Sequence, residues 1–278
     1  MSDISEPYVE HAQKLQKLSV CIVTFIPDLV VLDTTLTSLR AALHGLPDTE
    51  LALTIVDNSP TDNVSAWLET HFADLKPDIM AGHGNIGFGQ ANNKVLDRLG
   101  DIHLVLNPDV EMSPDCLSNG LQFLKDNPQC GLATPFARGS DGERQFLCKR
   151  FPAVFDLLLR GFAPSILRRL FQKRLDRYEM AEMPANEVYW DPQIVSGCFM
   201  LFRGEIFQKL GGFDPAYFLY FEDFDLSLRV GEITHIAYVP QMSIVHGGGN
   251  AGRKGLWHVK KFGLSAVIFY RKFGLKLW

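Results

Sequence analysis

SVCIVTF, residues 19–25, decides the fold, because it is a continuous run of mainly β-branched and apolar residues, typical of a strand buried on both faces. Residues 28–43 follow with apolar side chains three and four positions apart, which predicts an amphipathic helix. The same order of strand and helix recurs at residues 51–56 and 63–72, at 79 and 89–99, and at 102–106 and 114–124. This alternation predicts an α/β fold with a mainly parallel sheet flanked by helices.

The composition is that of an ordinary globular protein. The chain has 278 residues, of which 46% are hydrophobic and 21% charged, so it can bury a substantial core. Its net charge of -5 argues against binding nucleic acid. Five cysteines without a C-x-x-C pair indicate neither a zinc site nor a disulfide framework, and a reducing cytoplasm is expected. Neither a signal peptide nor a membrane-spanning segment is predicted.

Polar residues end three of the predicted strands. Thr24 ends the first, Asp57-Asn58-Ser59 follows the second, and Asn107-Pro108-Asp109 follows the strand at 102–106. In parallel sheets, ligands bind beyond the carboxyl ends of the strands, so these residues are candidates for one binding site. Both tripeptides are also good turn formers, and a simple turn is the alternative for either one.

A glycine-rich segment, GHGNIGFGQANN, occupies residues 82–93. It contains the pattern G-x-G-x-x-G, but the strand before it is weak and it comes late in the chain, so a dinucleotide fingerprint is disfavoured. A loop that lies against a nucleotide or a sugar is preferred. Asn85 is a candidate hydrogen-bonding residue there, as are Asn92 and Asn93 unless they face solvent on the helix.

The segment FDPAYFLYFEDFDLSLR, residues 213–229, places three acids among aromatic residues at the head of a helical pattern. These acids are Glu222, Asp223 and Asp225. Burying an unpaired carboxylate raises its pKa and costs free energy, so acids in apolar surroundings indicate a general base or a ligand-facing site. Acids also stabilise a helix N-terminus, which is the alternative. The preceding GGFDP turn favours function, because it makes the helix start a rigid platform.

Taken in order, the motifs resemble one known family. They are VTF at 23–25, DNS at 57–59, NIGFGQANN at 85–93, LNPDV at 106–110, SGCFMLFR at 196–203, GGFD with FED at 211–223, and VHGGG at 245–249. This order is similar to that of the family 2 inverting glycosyltransferases, and within them to the bacterial rhamnosyltransferase-like branch. The resemblance implies a GT-A fold of Rossmann-like type, a nucleotide-sugar donor, a divalent metal and a single displacement that inverts the anomeric carbon.

The resemblance assigns contacts to a metal and to the donor diphosphate. Asp109 matches the metal-binding carboxylate of the family's D-x-D motif, and one carboxylate can suffice for Mg²⁺ or Mn²⁺, because Mg²⁺ keeps several waters. Asn107 replaces the first carboxylate of that motif; it is expected to bind the nucleotide, and a direct ribose or metal contact there stays open. His246, in a glycine-rich turn after a strand, resembles the additional metal or diphosphate ligand.

Three further residues are expected to bind the nucleotide. Asp57 matches the acid that accepts from the N3–H of uracil or thymine, and Thr24 lies where first-strand residues of the family touch the nucleotide. Asn85 of the glycine-rich loop is the third. These contacts do not sense the methyl group of thymine. Both dTDP- and UDP-sugars therefore stay open as donors, with dTDP-rhamnose favoured by the resemblance.

The resemblance also implies a hexosyltransferase and assigns residues to the transfer step. Asp223 matches the second acid of the family's pair, which serves as general base for the acceptor hydroxyl, a role that contributes about 10²–10⁴-fold to the rate. Glu222 is expected to orient the acceptor. Asp225 is expected to hold the helix or an arginine such as Arg229.

Two basic segments with aromatic residues, 155–178 and 256–278, are expected to serve the acceptor side. Basic amphipathic helices of this kind bind anionic lipid, and packing in the core is the alternative. The acceptor is expected to be a glycan or a polyprenyl-diphosphate-linked sugar of cell-surface polysaccharide assembly. A cytoplasmic protein, peripheral at the inner face of the cytoplasmic membrane, follows from these expectations.

The expected organisation has three parts: an N-terminal extension at 1–17, a glycosyltransferase domain at 18–250 and a basic amphipathic C-terminal helix at 251–278. Within the domain, a nucleotide-sugar half extends to about residue 136 and an acceptor half follows it.

Two other functions are alternatives to sugar transfer. A nucleotidyltransferase should carry a loop rich in glycine and in lysine or arginine after its first strand, where this chain reads FIPDLV at 25–30. A catalytically silent nucleotide-sugar or lipid-binding protein is disfavoured by the presence of Asp109, Asp223 and His246. Turnover separates this last alternative from an enzyme.

Overall fold

The computed structural model of the chain describes residues 16–247 and 255–278. Its β-strands are β1 (Gln16–Thr24), β2 (Thr49–Asp57), β3 (Asp78–Met80), β4 (Ile102–Leu106), β5 (Val110–Met112), β6 (Cys130–Arg138), β7 (Arg144–Gln145), β8 (Cys148–Lys149), β9 (Tyr189–Trp190), β10 (Ile194–Val195), β11 (Phe199–Arg203) and β12 (His235–His246). Its α-helices are α1 (Leu29–Leu43), α2 (Ser65–His71), α3 (Phe88–Asn92), α4 (Cys116–Asp126), α5 (Val154–Phe162), α6 (Ser165–Leu170), α7 (Gln172–Tyr178), α8 (Gly204–Lys209), α9 (Glu222–Gly231) and α10 (Leu256–Phe273).

Ten of the described strands form one sheet. Its main path has the order β3-β2-β1-β4-β11-β6-β12-β5, with β7 paired to β6 and β9 paired to β12. β1 pairs in parallel with β2 and β4, and β6 pairs in parallel with β12, whereas β11 runs antiparallel between β4 and β6. The predicted α/β fold, with a mostly parallel sheet flanked by helices, is confirmed.

The strand predicted from SVCIVTF is β1, which is buried from residue 18 to its end. Its last residue, Thr24, pairs with Asp57, the last residue of β2, and β4 ends on the other side of it at Leu106. α1 begins after Asp28, whose side chain caps the helix by accepting from the Val30 amide at 2.9 Å. The carboxyl ends of β1, β2 and β4 therefore lie at one edge of the sheet, together with the polar residues that follow them.

The helix predicted at 89–99 is shorter than expected. α3 ends at Asn92, and the chain continues as a short 3₁₀ helix at Asn93–Val95. Asn93 Nδ2 donates to the Phe213 carbonyl at 2.7 Å, and its Oδ1 accepts from the Phe213 amide at 2.8 Å. These tertiary hydrogen bonds hold Asn93 where the α-helical pattern stops. Asn92 is buried, so the alternative in which both asparagines face solvent is wrong.

The basic segment at 155–178 forms three short helices rather than one long one. Pro164 separates α5 from α6, because proline lacks an amide hydrogen and disfavours helical backbone in the residue before it. That residue, Ala163, is extended with ψ of 141°. α6 has no buried residue, and its apolar side chains face solvent.

The C-terminal helix, α10, packs on the turn that precedes α9. Phe269 of α10 is fully buried beside Tyr217 and Phe221. Lys272 Nζ pairs with Asp225 Oδ2 at 2.6 Å and with Asp214 Oδ2 at 2.7 Å. The C-terminal helical portion of the predicted fold is therefore present, and its acceptor-side role stays a prediction.

Two expectations fall on parts of the chain that the structure does not describe. Most of the predicted extension at 1–17 lies there, as does the predicted boundary at residues 250 and 251. The division of the domain near residue 136 stays a prediction. Within residues 16–247 and 255–278, no helix has the length and apolar character needed to cross a bilayer.

Candidate active site

The carboxylate of Asp57 is fixed at the end of β2 by three hydrogen bonds. Its Oδ1 accepts from Thr24 Oγ1 at 2.9 Å, from Ser59 Oγ at 2.6 Å and from the Ser59 amide at 3.1 Å. All three residues are buried, and Asp57 Oδ2 has no hydrogen-bond partner among the described residues. Because a buried acceptor without a partner costs free energy, this oxygen is well suited to accept from a ligand.

Asn58 ties the glycine-rich loop to the end of β2. Its Nδ2 donates to the Gly87 carbonyl at 3.2 Å, and its Oδ1 bonds to His83 Nε2 at 3.0 Å. Asn85 Oδ1 accepts from the Gly87 amide at 3.0 Å, so this predicted nucleotide-binding residue also shapes the loop. His83 did not stand out in the sequence, because its partner lies 25 positions earlier in the chain.

Asp109 and His246 lie side by side. Asp109 precedes β5 and His246 ends β12, and the antiparallel pairing of these strands brings Asp109 Oδ1 within 3.5 Å of His246 Nε2. The other ring nitrogen, Nδ1, bonds to Gln145 Oε1 at 2.9 Å, and Gln145 Nε2 donates to the His246 carbonyl at 3.0 Å. Because the glutamine oxygen can only accept, Nδ1 carries the proton, and Nε2 of a neutral His246 presents a lone pair.

This carboxylate and imidazole suit a divalent cation. The described part of the chain holds no cluster of three or more His, Cys, Asp or Glu side chains arranged as ligands, so water and ligand oxygens have to complete the coordination. Sites with one or two protein ligands plus phosphate oxygens are typical of Mg²⁺. Asn107 lies partly buried two residues before Asp109, and its amide donates to the Cys198 carbonyl at 2.8 Å. The residues present therefore fit the expected metal.

Asp223 is held at the start of α9 by two amide donors. Its Oδ2 accepts from the Gly197 amide and its Oδ1 from the Phe224 amide, both at 3.0 Å. Burial raises the pKa of Asp223 above its ordinary value, while these hydrogen bonds and the positive charge of Lys149 oppose the rise. A carboxylate with a raised pKa that is still stabilised as an anion is suited to accept a proton.

The neighbouring Glu222 lies in less polar surroundings. Burial, and after it repulsion from Asp223, raises the pKa of Glu222 to about 8. Its Oε2 is buried and has no hydrogen-bond partner among the described residues. Asp223, with its amide donors, is therefore the better stabilised anion of the pair, and the proton is favoured on Glu222. The pair combines a proton acceptor with a hydrogen-bond donor.

Lys149 is a buried residue of the site that the sequence did not reveal. It lies on β8 and is 7% exposed, and its Nζ donates to the Phe146 carbonyl at 3.2 Å. Burial lowers the pKa of Lys149 to about 8, and the charge of Asp223 acts in the opposite direction. The pairing of β8 with β10 puts Lys149 opposite Ile194, shortly before the loop that holds Asp223. A lysine in a two-residue strand has no periodic signal of burial.

The turn before the acid pair is strained. Tyr220 and Phe221 have φ of 71° and 67°, in the left-handed region that non-glycine residues seldom adopt. Such conformations cost about 1–3 kcal/mol each and persist where packing enforces them. The Phe221 ring packs on Phe262 and Phe269 of α10, with centroids 5.0 Å and 5.2 Å away. α10 therefore holds the turn that aims the two acids.

The glycine-rich loop packs against this same region. A Cβ on Gly87 would lie 2.2 Å from the Phe218 carbonyl oxygen, and one on Gly212 would lie 2.2 Å from Asn93 Oδ1. Both glycines have positive φ, 87° and 70°. Glycine is therefore required at both positions, because the loop and the turn pack closely there. The G-x-G-x-x-G pattern by itself does not predict this packing role.

The loop at 196–198 joins the two parts of the site. The Gly197 amide donates to Asp223, and the carbonyl of the next residue, Cys198, accepts from the Asn107 amide. Gly197 and Cys198, adjacent residues of one loop, thus hold two parts of the site. Gly197 holds Asp223, the candidate base, and Cys198 holds Asn107, which follows β4 and lies two residues before Asp109. Asp225 lies outside the site: it pairs with Arg229 Nε at 2.5 Å, as expected for an acid that holds the helix.

Comparison of the sequence with known proteins gives one family. The profile described as glycosyl transferase family 2 matches residues 19–211. The N-acetylglucosaminyl-diphospho-decaprenol L-rhamnosyltransferase of Mycobacterium tuberculosis is 27% identical over 250 residues, covering 82% of this chain and 77% of that relative. The rhamnosyltransferase WbbL of Escherichia coli is 27% identical over 207 residues, covering 68% of this chain and 72% of that relative.

Comparison of the structure with solved structures gives one fold. The mannosyltransferase PcManGT from Pyrobaculum calidifontis, in complex with GDP-Man and Mn²⁺, superposes with a TM-score of 0.58 at 20% sequence identity. The match covers 85% of this chain and 58% of that one, so the chain spans less than two thirds of its length. At this identity the likeness supports the fold alone, and the GT-A fold implied by the motif order is confirmed.

Proposed function

The chain belongs to glycosyl transferase family 2 and is a glycosyltransferase; on that premise we propose that it moves rhamnose from dTDP-rhamnose to a lipid-linked or polysaccharide acceptor, with metal dependence and inversion. Rhamnose is proposed because two relatives are named as rhamnosyltransferases. The observation that carries the proposal is the loop at 196–198, which holds Asn107 and Asp223 through adjacent residues. A donor site beside a proton acceptor is what direct transfer between two substrates requires.

Asp57 is the proposed contact for the nucleobase. Its Oδ2 would accept from the N3–H of thymine, while Thr24 and Ser59 keep the carboxylate oriented through Oδ1. Asn85 and Asn107, which are accessible at the loop and at the end of β4, are the proposed hydrogen-bonding residues for the rest of the nucleotide.

Asp109 and His246 are the proposed ligands of a Mg²⁺ or Mn²⁺ ion. When bound, such an ion supplies positive charge that neutralises the leaving nucleoside diphosphate. Gln145 supports this role, because its Oε1 accepts a hydrogen bond from Nδ1–H of His246 and so keeps Nε2 available as a ligand. The Mn²⁺ bound to the related mannosyltransferase supports a divalent ion without deciding between Mg²⁺ and Mn²⁺.

Asp223 is the proposed general base. The acceptor hydroxyl oxygen attacks the anomeric carbon, and its proton passes to the Asp223 carboxylate as the new carbon–oxygen bond forms. The bond from the anomeric carbon to the diphosphate oxygen breaks, and its electron pair leaves with the nucleoside diphosphate. Attack and departure occur on opposite faces in this single step, so the configuration inverts. Protonated Glu222 is the proposed hydrogen-bond donor that orients the acceptor.

The acceptor we propose is linked to a polyprenyl diphosphate, since the relative from Mycobacterium tuberculosis is named for such a substrate. α6 supports a location at the membrane, because Ile166 and Leu170 are 79% and 73% exposed beside the exposed Arg168 and Arg169. Apolar and basic side chains exposed together fit the interface of an anionic bilayer. A peripheral position at the inner face of the cytoplasmic membrane follows.

Thermal denaturation across a panel of nucleotide-sugars tests the donor proposal. Each of dTDP-rhamnose, UDP-sugars and GDP-sugars is measured with and without Mg²⁺ or Mn²⁺, since a ligand that binds the folded state raises the midpoint. We expect dTDP-rhamnose to give the largest rise, and only with metal. A rise that is equal without metal contradicts metal dependence, and no rise with any donor contradicts donor binding. Binding without turnover identifies a silent binding protein.

A further inference from the structure

Lys272 of α10 bridges both ends of the segment that leads into the acid pair. Its Nζ lies 2.7 Å from Asp214 Oδ2 and 2.6 Å from Asp225 Oδ2. Asp214 belongs to the GGFDP turn, and Asp225 lies in the first turn of α9. One ammonium group therefore ties together the two ends of residues 214–225.

The middle of this segment also depends on α10. Ser265 Oγ of α10 donates to the Leu219 carbonyl at 2.8 Å, and the Tyr220 hydroxyl bonds to His258 Nδ1 at 2.9 Å. Tyr220 and Phe221 are the two successive residues with left-handed backbone. Such a conformation persists only where the surrounding structure enforces it. α10 supplies that enforcement by hydrogen bonds in the middle of the segment and by Lys272 at its ends.

The α9 end of the bridge is buried and well neutralised. Asp225 is fully buried, its Oδ1 pairs with Arg229 Nε at 2.5 Å, and its Oδ2 also accepts from the Tyr217 hydroxyl at 3.3 Å. Arg229 Nη2 continues to the Gly212 carbonyl at 2.9 Å. Because a buried carboxylate needs its partners, this network fixes the first turn of α9 against both the GGFDP turn and α10.

Lys272 reaches the candidate base only through the helix. Asp223 and Asp225 are two positions apart on α9, so their side chains leave the helix on different sides. In the part of the chain that the structure describes, Lys272 makes no ion pair with Asp223. The Gly197 amide, which holds Asp223 Oδ2 at 3.0 Å, belongs to a different loop. A shift of the α9 start relative to that loop would therefore turn the carboxylate of Asp223.

We propose that Lys272 is a positioning residue for sugar transfer: its bridge between Asp214 and Asp225 holds the strained turn in place and so sets the aim of Asp223. This inference rests on the proposed function, which it deepens by naming what fixes the base. A misplacement of about 1 Å can cost about 10²-fold in rate. Loss of the bridge should therefore lower the rate of transfer and leave donor binding, at the ends of β1, β2 and β4, unchanged.

Three variants test the bridge. Lys272→Met removes the ammonium group and keeps a long unbranched side chain at a position that is 36% exposed. Asp225 keeps Arg229 as its partner, so no buried charge is left unpaired. Lys272→Arg keeps the positive charge and is the conservative variant. Arg271→Met is the matched control, because Arg271 is the adjacent exposed residue of α10 and has no ion pair among the described residues.

Steady-state kinetics give the first measurement, with urea unfolding on the same samples to confirm that each protein is folded. We expect kcat to fall about tenfold or more in Lys272→Met, with the KM values for donor and acceptor unchanged. Lys272→Arg should recover most of the loss, and Arg271→Met should match the parent. A parental kcat in Lys272→Met, or an equal loss in Arg271→Met, overturns the proposal.

A double-mutant cycle tests whether the bridge itself carries the effect. Asp214→Asn opens the bridge from its other end and keeps Oδ1, which accepts from the Ala216 amide at 2.9 Å. Two substitutions that break one interaction are not additive. The double variant Asp214→Asn with Lys272→Met should therefore lose no more kcat than Lys272→Met alone. Losses that multiply would show that Asp214 and Lys272 act separately, which overturns the proposal.

Carboxyl ¹³C NMR titration follows the acid pair without any sugar. Burial raises the pKa of both Glu222 and Asp223, and a loosened turn admits water, so both titration midpoints should move towards their ordinary values in Lys272→Met and stay unchanged in Arg271→Met. If the midpoints move but the parent transfers no sugar, the proposed function fails and the positioning role stands. If the parent transfers sugar and neither kcat nor the midpoints respond to Lys272→Met, the positioning role fails alone.

Discussion

The ends of β1, β2 and β4 form the proposed donor edge of the sheet, where polar side chains are fixed by short hydrogen bonds. The proposed acceptor face, formed by α5, α6 and α10, instead leaves large apolar side chains in solvent. Asp57 Oδ1 accepts three hydrogen bonds between 2.6 Å and 3.1 Å. On the acceptor face, Ile166 is 79% exposed and Leu256 is 89% exposed. The proposed donor edge is organised in advance by the fold, while the proposed acceptor face leaves apolar side chains exposed, which fits the lipid partner proposed above.

Under the proposed function, this difference would place binding of the two substrates under different kinds of control. Interactions preorganised by the backbone fix the geometry of the reacting groups, and exposed apolar surface contributes affinity when a lipid covers it. The strained turn at Tyr220 and Phe221 connects the two regions, because α10 of the acceptor face holds it in place. Substitutions at the donor edge should therefore abolish one step of the reaction, such as donor binding. Substitutions on the acceptor face should weaken binding to lipid gradually.

The largest effect is expected at the donor edge. Asp109→Ala should abolish metal-dependent donor binding, because no second carboxylate in the N-P-D motif can replace it. Calorimetric titration of the nucleoside diphosphate with Mg²⁺ or Mn²⁺ measures this. Glu111→Ala removes an equal charge from an exposed position two residues away and serves as the control. Unchanged affinity in Asp109→Ala would move the metal site elsewhere.

The next effect concerns Asp223, the proposed base. Asp223→Asn keeps the shape of the side chain and removes the proton acceptor, so transfer should fall by about 10² or more while donor binding survives. Steady-state transfer rates and donor titrations on the same sample give both quantities. A rate within a few-fold of the parent would make Asp223 structural and Glu222 the better candidate.

A smaller effect is expected on the pH dependence of stability. Burial raises the pKa of Glu222 from 4.5 to about 8, so between these values the folded state holds a proton that the unfolded state has released. Stability therefore falls as pH rises through this window. Glu222→Gln should flatten that fall and raise the free energy of unfolding at the alkaline end relative to the parent. Parallel urea-unfolding profiles for the two proteins across the window would refute the assignment.

The smallest effect is expected on the acceptor face. Replacing Arg168, Arg169 and Lys173 with Gln should weaken binding to anionic vesicles in a salt-dependent way, since each cation contributes about 1 kcal/mol near such lipid. Arg174 is left intact, because its Nε pairs with Asp156 at 2.5 Å and joins α7 to α5. Vesicle cosedimentation measures the change.

A control for this vesicle experiment removes the same charge from other helices. Lys94, Lys125 and Lys209 are exposed on elements remote in sequence from the acceptor-face helices, and replacing them with Gln should leave vesicle binding unchanged. Equal loss of binding in both sets would show that only net charge matters. Equally strong binding of the parent to neutral vesicles would show that these cations do not direct the protein to anionic lipid.

The donor edge could be predicted from the sequence, because parallel strands carry a strong pattern and their ends must meet. Apolar runs typical of buried strands predict β1, β2 and β4, so the polar residues that follow these strands are predicted to lie at one edge of the sheet. Asp109 and His246 lie 137 positions apart, yet the motif order placed both in the site. Their roles, like those of the other site residues, stay predictions.

The supporting residues could not be predicted, because each acts through tertiary contacts alone. Gln145 orients His246 from a two-residue strand, and Lys149 is buried beside Asp223 without any periodic pattern around it. The hydrogen bonds of Asn93 to Phe213 hold the chain where α3 ends, although the local sequence pattern predicts that the helix continues. α5 and α10 line one apolar groove, although Val154–Phe162 and Leu256–Phe273 lie far apart in the chain. Sequence patterns show which face is apolar, but not which two faces meet.

Direct observation of sugar transfer tests the central claim. The protein is incubated with dTDP-rhamnose, Mg²⁺ and an N-acetylglucosaminyl-diphospho-prenol of short chain, and the products are followed by mass spectrometry and by NMR of the anomeric proton. We predict one rhamnose added for each dTDP released, with inverted configuration in the parent and almost no product from Asp223→Asn. Retention of configuration, release of dTDP without transfer, or transfer by Asp223→Asn at the parent's rate would contradict the assignment of this site.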